Sequence, residues 1–280
     1  MAERVFPPIE TDAAPVIAEL VSGAIVRSEL VGGGLTNTLR RIELADGRVL
    51  GVKQYVLGRS FATEGAALRV LARVIPVPRI VYTLDRVIAY RWIDGITLNE
   101  CRRRDRSAFA RLAEPLGELL GTLARITRPA KPIDLAPALA QLGSGRAQAR
   151  LGGELAEGLR QLLEAERFDD PACFAHGDFG GRNVIVAPGL DRIAGVIDWE
   201  AAGAGSMLRD AGSLFRYVSR YDAAFVAAFA RGHGALPDGW LRRARLLDTT
   251  RLVATLAEDR ELPEVHGDLR ALIADVVAAG

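Results

Sequence analysis

Between positions 174 and 200 the chain reads FAHGDFGGRNVIVAPGLDRIAGVIDWE, and oxygen-bearing side chains recur there at spacings that suit chemistry. Two short apolar runs, 184–186 and 193–197, flank a turn at Pro188-Gly189-Leu190-Asp191, a pattern that predicts a β-hairpin. His176, Asp178 and Asn183 stand before its first strand, and Asp198 follows its second. An antiparallel pair brings those ends together. Two carboxylates and an amide carbonyl in one small volume suit a hard divalent cation such as Mg²⁺, which takes oxygen ligands. A carboxylate left free of metal accepts the proton of a hydroxyl nucleophile. His-Gly-Asp, then Asn five residues after the Asp, then an Asp closing the next strand is the set that phosphoryl transfer needs.

The elements that must position these groups start at the N-terminus. An amphipathic helix is expected over 11–24, with Ile17, Leu20 and Val21 on one face. Strands follow over 25–31, 38–44 and 49–56, the last two joined by the hairpin signal Asp46-Gly47. Gly33 and Gly34 lie in the Gly-rich turn between the first two strands, where backbone N–H groups approach phosphate oxygens because no Cβ intervenes. A helix over 59–73 and strands over 79–82 and 86–92 complete a first lobe that ends at Asp94-Gly95. Beyond it the pattern is helical, with the hairpin embedded: a helix from Thr97, one from Ser107 carrying Phe109, Leu112, Leu116, Leu120 and Leu123, another over 153–167, and four after residue 206. The fold class is therefore α+β, with lobes 1–94 and 95–280.

Of 36 basic residues only Lys53 and Lys131 are lysine, so a lysine inside the apolar strand Gly51-Val52-Lys53 needs a chemical reason. No Gly-x-x-x-x-Gly precedes either lysine, which excludes a Walker-type phosphate loop.

The stretch from His176 to Asp198, the Asp-Trp-Glu at 198–200 and Arg209-Asp210-Ala211-Gly212 resemble the aminoglycoside phosphotransferase and choline-kinase-like family. The resemblance implies a protein-kinase-like two-lobe fold, with a five-stranded antiparallel sheet and a helix in a small N-lobe and a larger, mainly helical C-lobe holding a catalytic hairpin. It implies an ATP-dependent phosphotransferase acting on a small-molecule hydroxyl, with Asp178 as the base and Mg²⁺ held by Asn183 and Asp198. By the same resemblance Lys53 holds the nucleotide's phosphates and pairs with Glu64, whose plainer reading is a solvated first-turn residue. The adenine is bonded by backbone in the segment Arg91-Trp92-Ile93, and Asp210 supports the catalytic loop. His176 reads as a structural group bonding the backbone of that loop. Glu200 either adds an acidic contact or caps a turn; Arg182 reaches a phosphate or substrate oxygen or lies on the surface. A second His-Gly-Asp, His266-Gly267-Asp268, has Ile273 where the Asn should stand and reads as the start of the last helix.

Helices begin soon after Asp198, and the absence of a long activation segment points away from protein substrates. A catalytically silent nucleotide-binding protein is the alternative, and a protein kinase a weaker one. The net charge of +1 implies neither nucleic acid nor an anionic membrane, and no apolar run approaches a membrane span. Cys101 and Cys173 have no metal-like spacing, and the N-terminus lacks a secretory pattern, so a cytoplasmic enzyme is expected. Residues 201–280 hold ten arginines and ten acidic residues, so no acidic bias favours a polycationic acceptor. Aminoglycoside-like antibiotics, sugars and amino alcohols all stay open, as does the oligomeric state.

Overall fold

A computed structural model describes residues 12–31, 37–127, 133–143, 145–234 and 236–280. Gly33 and Gly34, expected to approach phosphate, lie outside the described residues. The chain divides into two compact units: Met1–Arg106 with Arg182–Ala202, and Ser107–Gly181 with Gly203–Gly280.

The first unit opens with α1 (Ala14–Leu20), shorter at both ends than the sequence pattern suggests. Pro15 sits in its first turn, where a missing N–H costs nothing. Then come β1 (Ile25–Leu30), β2 (Asn37–Leu44), β3 (Val49–Tyr55), α2 (Gly58–Leu71), β4 (Ile80–Leu84) and β5 (Val87–Arg91). The five strands form one antiparallel sheet in the order β1-β2-β3-β5-β4. Side chains alternate across it. Leu50 and Val52 of β3 join Ile17, Ile42 and Leu44 in a core against α1, while Tyr55 joins Ile88, Tyr90 and Phe61 in a second cluster. Every residue of β3 after Val49 is buried, so the sheet is covered at its centre on both faces.

A second small sheet belongs to the same unit. Its strands are β6 (Ile96–Thr97), β8 (Val184–Val186) and β9 (Ile193–Val196), in the order β6-β8-β9. The hairpin that sequence places in the second lobe thus gathers with the first unit. Backbone pairing explains this: Ile96 and Thr97 pair with Val186 and Ile185, and Val196 N–H donates to Pro76 C=O at 2.9 Å. Gly95 makes the approach possible, because its φ is 147° and a Cβ there would lie 2.0 Å from Val186 O. Helix α3 (Leu98–Arg104) follows β6, and the Thr97 hydroxyl caps it by accepting Glu100 N–H at 3.2 Å.

The second unit is mainly helical. The helix expected from Ser107 onward breaks into α4 (Arg106–Arg111) and α5 (Ala113–Ala124). Pro115 is the cause, since it has no N–H for the carbonyl of Arg111. Next are α6 (Ala136–Gly143), α7 (Arg146–Leu151), α8 (Gly153–Ala165) and β7 (Cys173–Ala175). After the hairpin the chain re-enters the unit with β10 (Gly203–Gly205), which pairs antiparallel with β7. It ends with α9 (Met207–Leu214), α10 (Ala223–His233), α11 (Trp240–Ala257) and α12 (Pro263–Ala278). His266 to Asp268 fall in the opening turns of α12, where Asp268 accepts the Tyr217 hydroxyl at 2.5 Å. Leu151, Leu159, Leu163, Val253, Leu256 and Ile273 anchor the core of α6, α7, α8, α11 and α12. Helices α5 and α10 pack backbone to backbone: a Cβ on Gly117 would meet Phe229 O at 2.0 Å, and one on Gly232 would meet Glu114 O at 2.1 Å.

Candidate active site

In the first unit, period-two alternation puts Gly51, Lys53 and Tyr55 on the β3 face that looks toward α2. Tyr90 stands opposite Gly51 in register, and its ring lies where a Gly51 side chain would be, 2.4 Å from an ideal Cβ. Glu64 points inward from α2 and is only 1% exposed. Its Oε2 accepts both the Lys53 ammonium at 2.7 Å and the Tyr55 hydroxyl at 2.7 Å. Lys53 also donates to Asp198 Oδ1 at 2.6 Å. Burial works against the lysine charge, yet Glu64 and Asp198 more than offset it and hold its pKa above the ordinary value. Burial pushes the Glu64 carboxyl up, while Lys53 and Tyr55 pull it back. Burial and the neighbouring Glu64 charge push the Tyr55 hydroxyl well up, so it stays protonated and donates.

The hairpin supplies the rest of the oxygen set. Val184 pairs with Val196, and one step further the Ile197 N–H donates to Asn183 C=O at 2.9 Å. Asn183 is therefore buried at the strand end beside Ile197-Asp198. Asp198 has φ 67°, a left-handed conformation that non-glycine residues adopt at a cost of about 1–2 kcal/mol. Such strain concentrates at functional positions. The buried Trp199 beside it donates its indole N–H to Val196 O at 2.8 Å and fixes this bend. Carboxylate oxygens of Glu64, Asp198 and Glu200 lie within 4.8 Å of one another. Asn37 Nδ2 donates to Glu200 Oε2 at 2.5 Å, tying the start of β2 to this cluster. Oxygen donors from carboxylates and an amide fit Mg²⁺ rather than a softer metal.

Of the segment expected to meet adenine, Arg91 N–H donates to Arg79 O and Trp92 N–H to Val49 O, at 2.9 and 3.0 Å. Among the described residues none accepts the Ile93 N–H. Gly195 makes room for the Ile93 side chain, whose Cδ1 would be 2.5 Å from a Cβ there.

Asp178 belongs to the second unit, in the loop that follows β7. Gly177 has φ 82°, a conformation that suits glycine. Buried Asp210 of α9 accepts two successive loop N–H groups, His176 at Oδ2 (2.6 Å) and Gly177 at Oδ1 (2.8 Å). The Asp178 N–H donates to His176 Nδ1 at 3.1 Å, so the buried imidazole braces the loop from within. Burial pushes the Asp210 carboxyl up to about 7, against the pull of the two N–H donors.

Sequence reasoning gave no role to Arg251, Arg216, Asp248 or Tyr55. Arg251 of α11 donates to Gly177 O and lies 3.0 Å from Asp178 Oδ1. Arg216 forks onto Asp248 at 2.7 and 2.8 Å. The available signal was Asp248 and Arg251 set inside the apolar run LLDTTRLV, where charged residues need partners.

A family model for the APH phosphotransferase enzyme family matches residues 28–247. Comparison with curated proteins finds no match. Among solved structures, a thermostable mutant of aminoglycoside phosphotransferase APH(4)-Ia in complex with AMP-PNP and hygromycin B aligns with TM-score 0.71 and 17% identity, over 96% of this chain and 99% of that one. Macrolide 2'-phosphotransferase MphH from Brachybacterium faecium aligns with TM-score 0.68 and 20% identity, over 94% and 98%. A candidate fructosamine-3-kinase from Thermobifida fusca YX-ER1 aligns with TM-score 0.67 and 21% identity, over 96% and 99%. The family model spans most of the chain, and the chain belongs to the phosphotransferase enzyme family.

Proposed function

We propose that the protein transfers the γ-phosphoryl group of ATP to a hydroxyl of a small molecule, with Asp178 as the base. The carrying observation is Lys53, locked between Glu64 and Asp198 in a strand where no other cation stands. An ammonium so placed is pre-organised for phosphate oxygens and needs no rearrangement when they arrive. Structures similar to this chain hold AMP-PNP or ADP, which supports ATP as the donor. The Ile93 N–H is the backbone donor left for adenine, beside the Arg91 segment expected to flank it. Lys53 Nζ would hold phosphate oxygens, and Glu64 would keep Nζ aimed. Asn183 and Asp198 would hold Mg²⁺, which when bound neutralises charge on the transferring phosphates.

In the transfer, the acceptor oxygen forms a bond to the γ-phosphorus as the bond from that phosphorus to the β,γ-bridging oxygen breaks. ADP leaves with that electron pair, and the acceptor's proton passes to Asp178. Asp210 and His176 keep the Asp178 loop in one conformation through their bonds to its N–H groups. Among the described residues no helix is long and apolar enough to cross a membrane, and a cytoplasmic location is part of this proposal.

The test is ADP release with Mg²⁺ and ATP over a panel of hydroxylated compounds, with Asp178→Asn in parallel. One compound should stimulate release, and the variant should lose on the order of 10²–10⁴ of that rate. Stimulation that survives in the variant would remove Asp178 from its role. Failure to bind nucleotide at all would overturn the kinase reading.

A further inference from the structure

A cavity of about 440 Å³ lies in the second unit, lined by Pro137 and Gln141 of α6, by Arg209 of α9, and by Thr250 and Ala254 of α11. That volume suits a small metabolite. Thr250 adjoins Arg251, the residue whose guanidinium reaches Asp178 and Gly177 O, so one turn of α11 joins the cavity wall to the loop of the proposed base.

Charges around the cavity are unevenly satisfied. Asp248 is forked by Arg216, both oxygens of Asp210 accept backbone N–H groups, and Asp178 pairs with Arg251. Asp134, the acid on the cavity rim, caps α6 by accepting Ala136 N–H at 3.0 Å. Arg209 is left over: among the described residues nothing accepts a hydrogen bond from it and no carboxylate lies in salt-bridge range. Burial lowers its pKa, the carboxylates of Asp248 and Asp210 pull against that from beyond salt-bridge range, and the like charge of Arg251 adds to the lowering. The Arg209 guanidinium, without a hydrogen-bonded partner among the described residues and lining open volume, makes a receptor for a planar or tetrahedral anion. A polyamine would meet repulsion there.

We infer that the acceptor carries an anionic group, a carboxylate or a phosphate, which Arg209 receives in the cavity between α6, α9 and α11. This rests on the phosphotransferase reading of Asp178 and narrows its substrate to hydroxylated acids. Arg209 fixes the acid end, and the hydroxyl is presented toward the loop that Arg251 grips.

The experiment titrates the full chain, with Mg²⁺ and AMP-PNP present, with two matched sets. One is glucuronate, glucose 6-phosphate, glucose and glucosamine; the other is glycerate, glycerol 3-phosphate and glycerol. Wild type, Arg209→Gln and Arg209→Lys are compared. At least one acid should bind about 10- to 100-fold more tightly than its neutral or amine counterpart, the worth of one charge-assisted bond. Arg209→Gln should erase that preference and Arg209→Lys restore part of it. Carboxylate over phosphate, or the reverse, identifies the group the cavity takes. Equal or tighter binding of the neutral or amine compound, no binding of any acid, or a preference unchanged in Arg209→Gln overturns the inference. ADP release is scored separately: an Arg209-dependent acid that binds without turnover counts against the kinase reading alone.

Discussion

At the scale of single residues, the buried charges Lys53 and Glu64 of the first unit lie in one chain of bonds, Tyr55–Glu64–Lys53–Asp198. Removing one partner leaves the others buried and uncompensated. Glu64→Gln keeps the shape and deletes the charge, so it should cost about 3–5 kcal/mol of stability, the usual result of breaking a buried pair. Urea denaturation measures this, and an unchanged midpoint would show the pair to be energetically idle. Asp210 carries a pH prediction. Protonation would turn an acceptor oxygen into a donor facing a loop N–H, so kcat should fall as pH drops below about 7, where burial places this carboxyl. Asp210→Asn, which cannot titrate, should be poorly active throughout and lack that acid limb.

Legibility at this scale was mixed. Lys53 stood out because lysine is rare in the chain, and Asp178, Asn183 and Asp198 because of their spacing around a hairpin. Tyr55 and Arg251 did not stand out. A tyrosine in an apolar strand looks like core until the residue opposite its hydroxyl is known. The partners of Arg251 are 73 and 74 residues away in sequence, where no local pattern reaches.

At the scale of elements, all five strands of the main sheet and the β8–β9 hairpin were readable from alternation and turn residues. The break between α4 and α5 was not, because the apolar periodicity runs through it and only Pro115 interrupts the hydrogen bonds. Strands β7 and β10 were too short to leave a period. The α5–α10 pair rests on glycines, and Gly232→Val should destabilise by roughly 3 kcal/mol or more, since a Cβ meets the Glu114 carbonyl and the backbone must move. A melting temperature equal to wild type would refute that packing. His233, at the end of α10, is buried, and among the described residues neither ring nitrogen has a hydrogen-bond partner. Burial and Arg125 lower its pKa below the ordinary 6.5. The unfolded chain therefore binds the extra proton, and His233's contribution to stability is lost as pH falls below about 6.5. His233→Phe should flatten that part of the Tm-against-pH curve; an unaltered slope would assign the acid sensitivity elsewhere.

At the scale of the whole molecule, the chain leaves its first unit at Arg106, returns at Arg182 and leaves again at Ala202. Composition said little at this scale, because a formal net charge of +1 carries no strong acidic or basic bias. The cavity proposed for the acceptor was illegible in sequence because it is assembled from α6, α9 and α11, elements more than a hundred residues apart at their extremes. Nucleotide should stabilise the folded chain through mass action, by about 2.7 kcal/mol at a hundred times Kd.

The most direct test of phosphoryl transfer follows the phosphorus itself. Phosphorus NMR of the full chain with Mg²⁺, ATP and a stimulating acceptor should show a new phosphomonoester growing in step with ADP. Asp178→Asn should produce it at least about a hundredfold more slowly. ADP accompanied only by inorganic phosphate, or a phosphomonoester formed equally fast by the variant, would contradict the account.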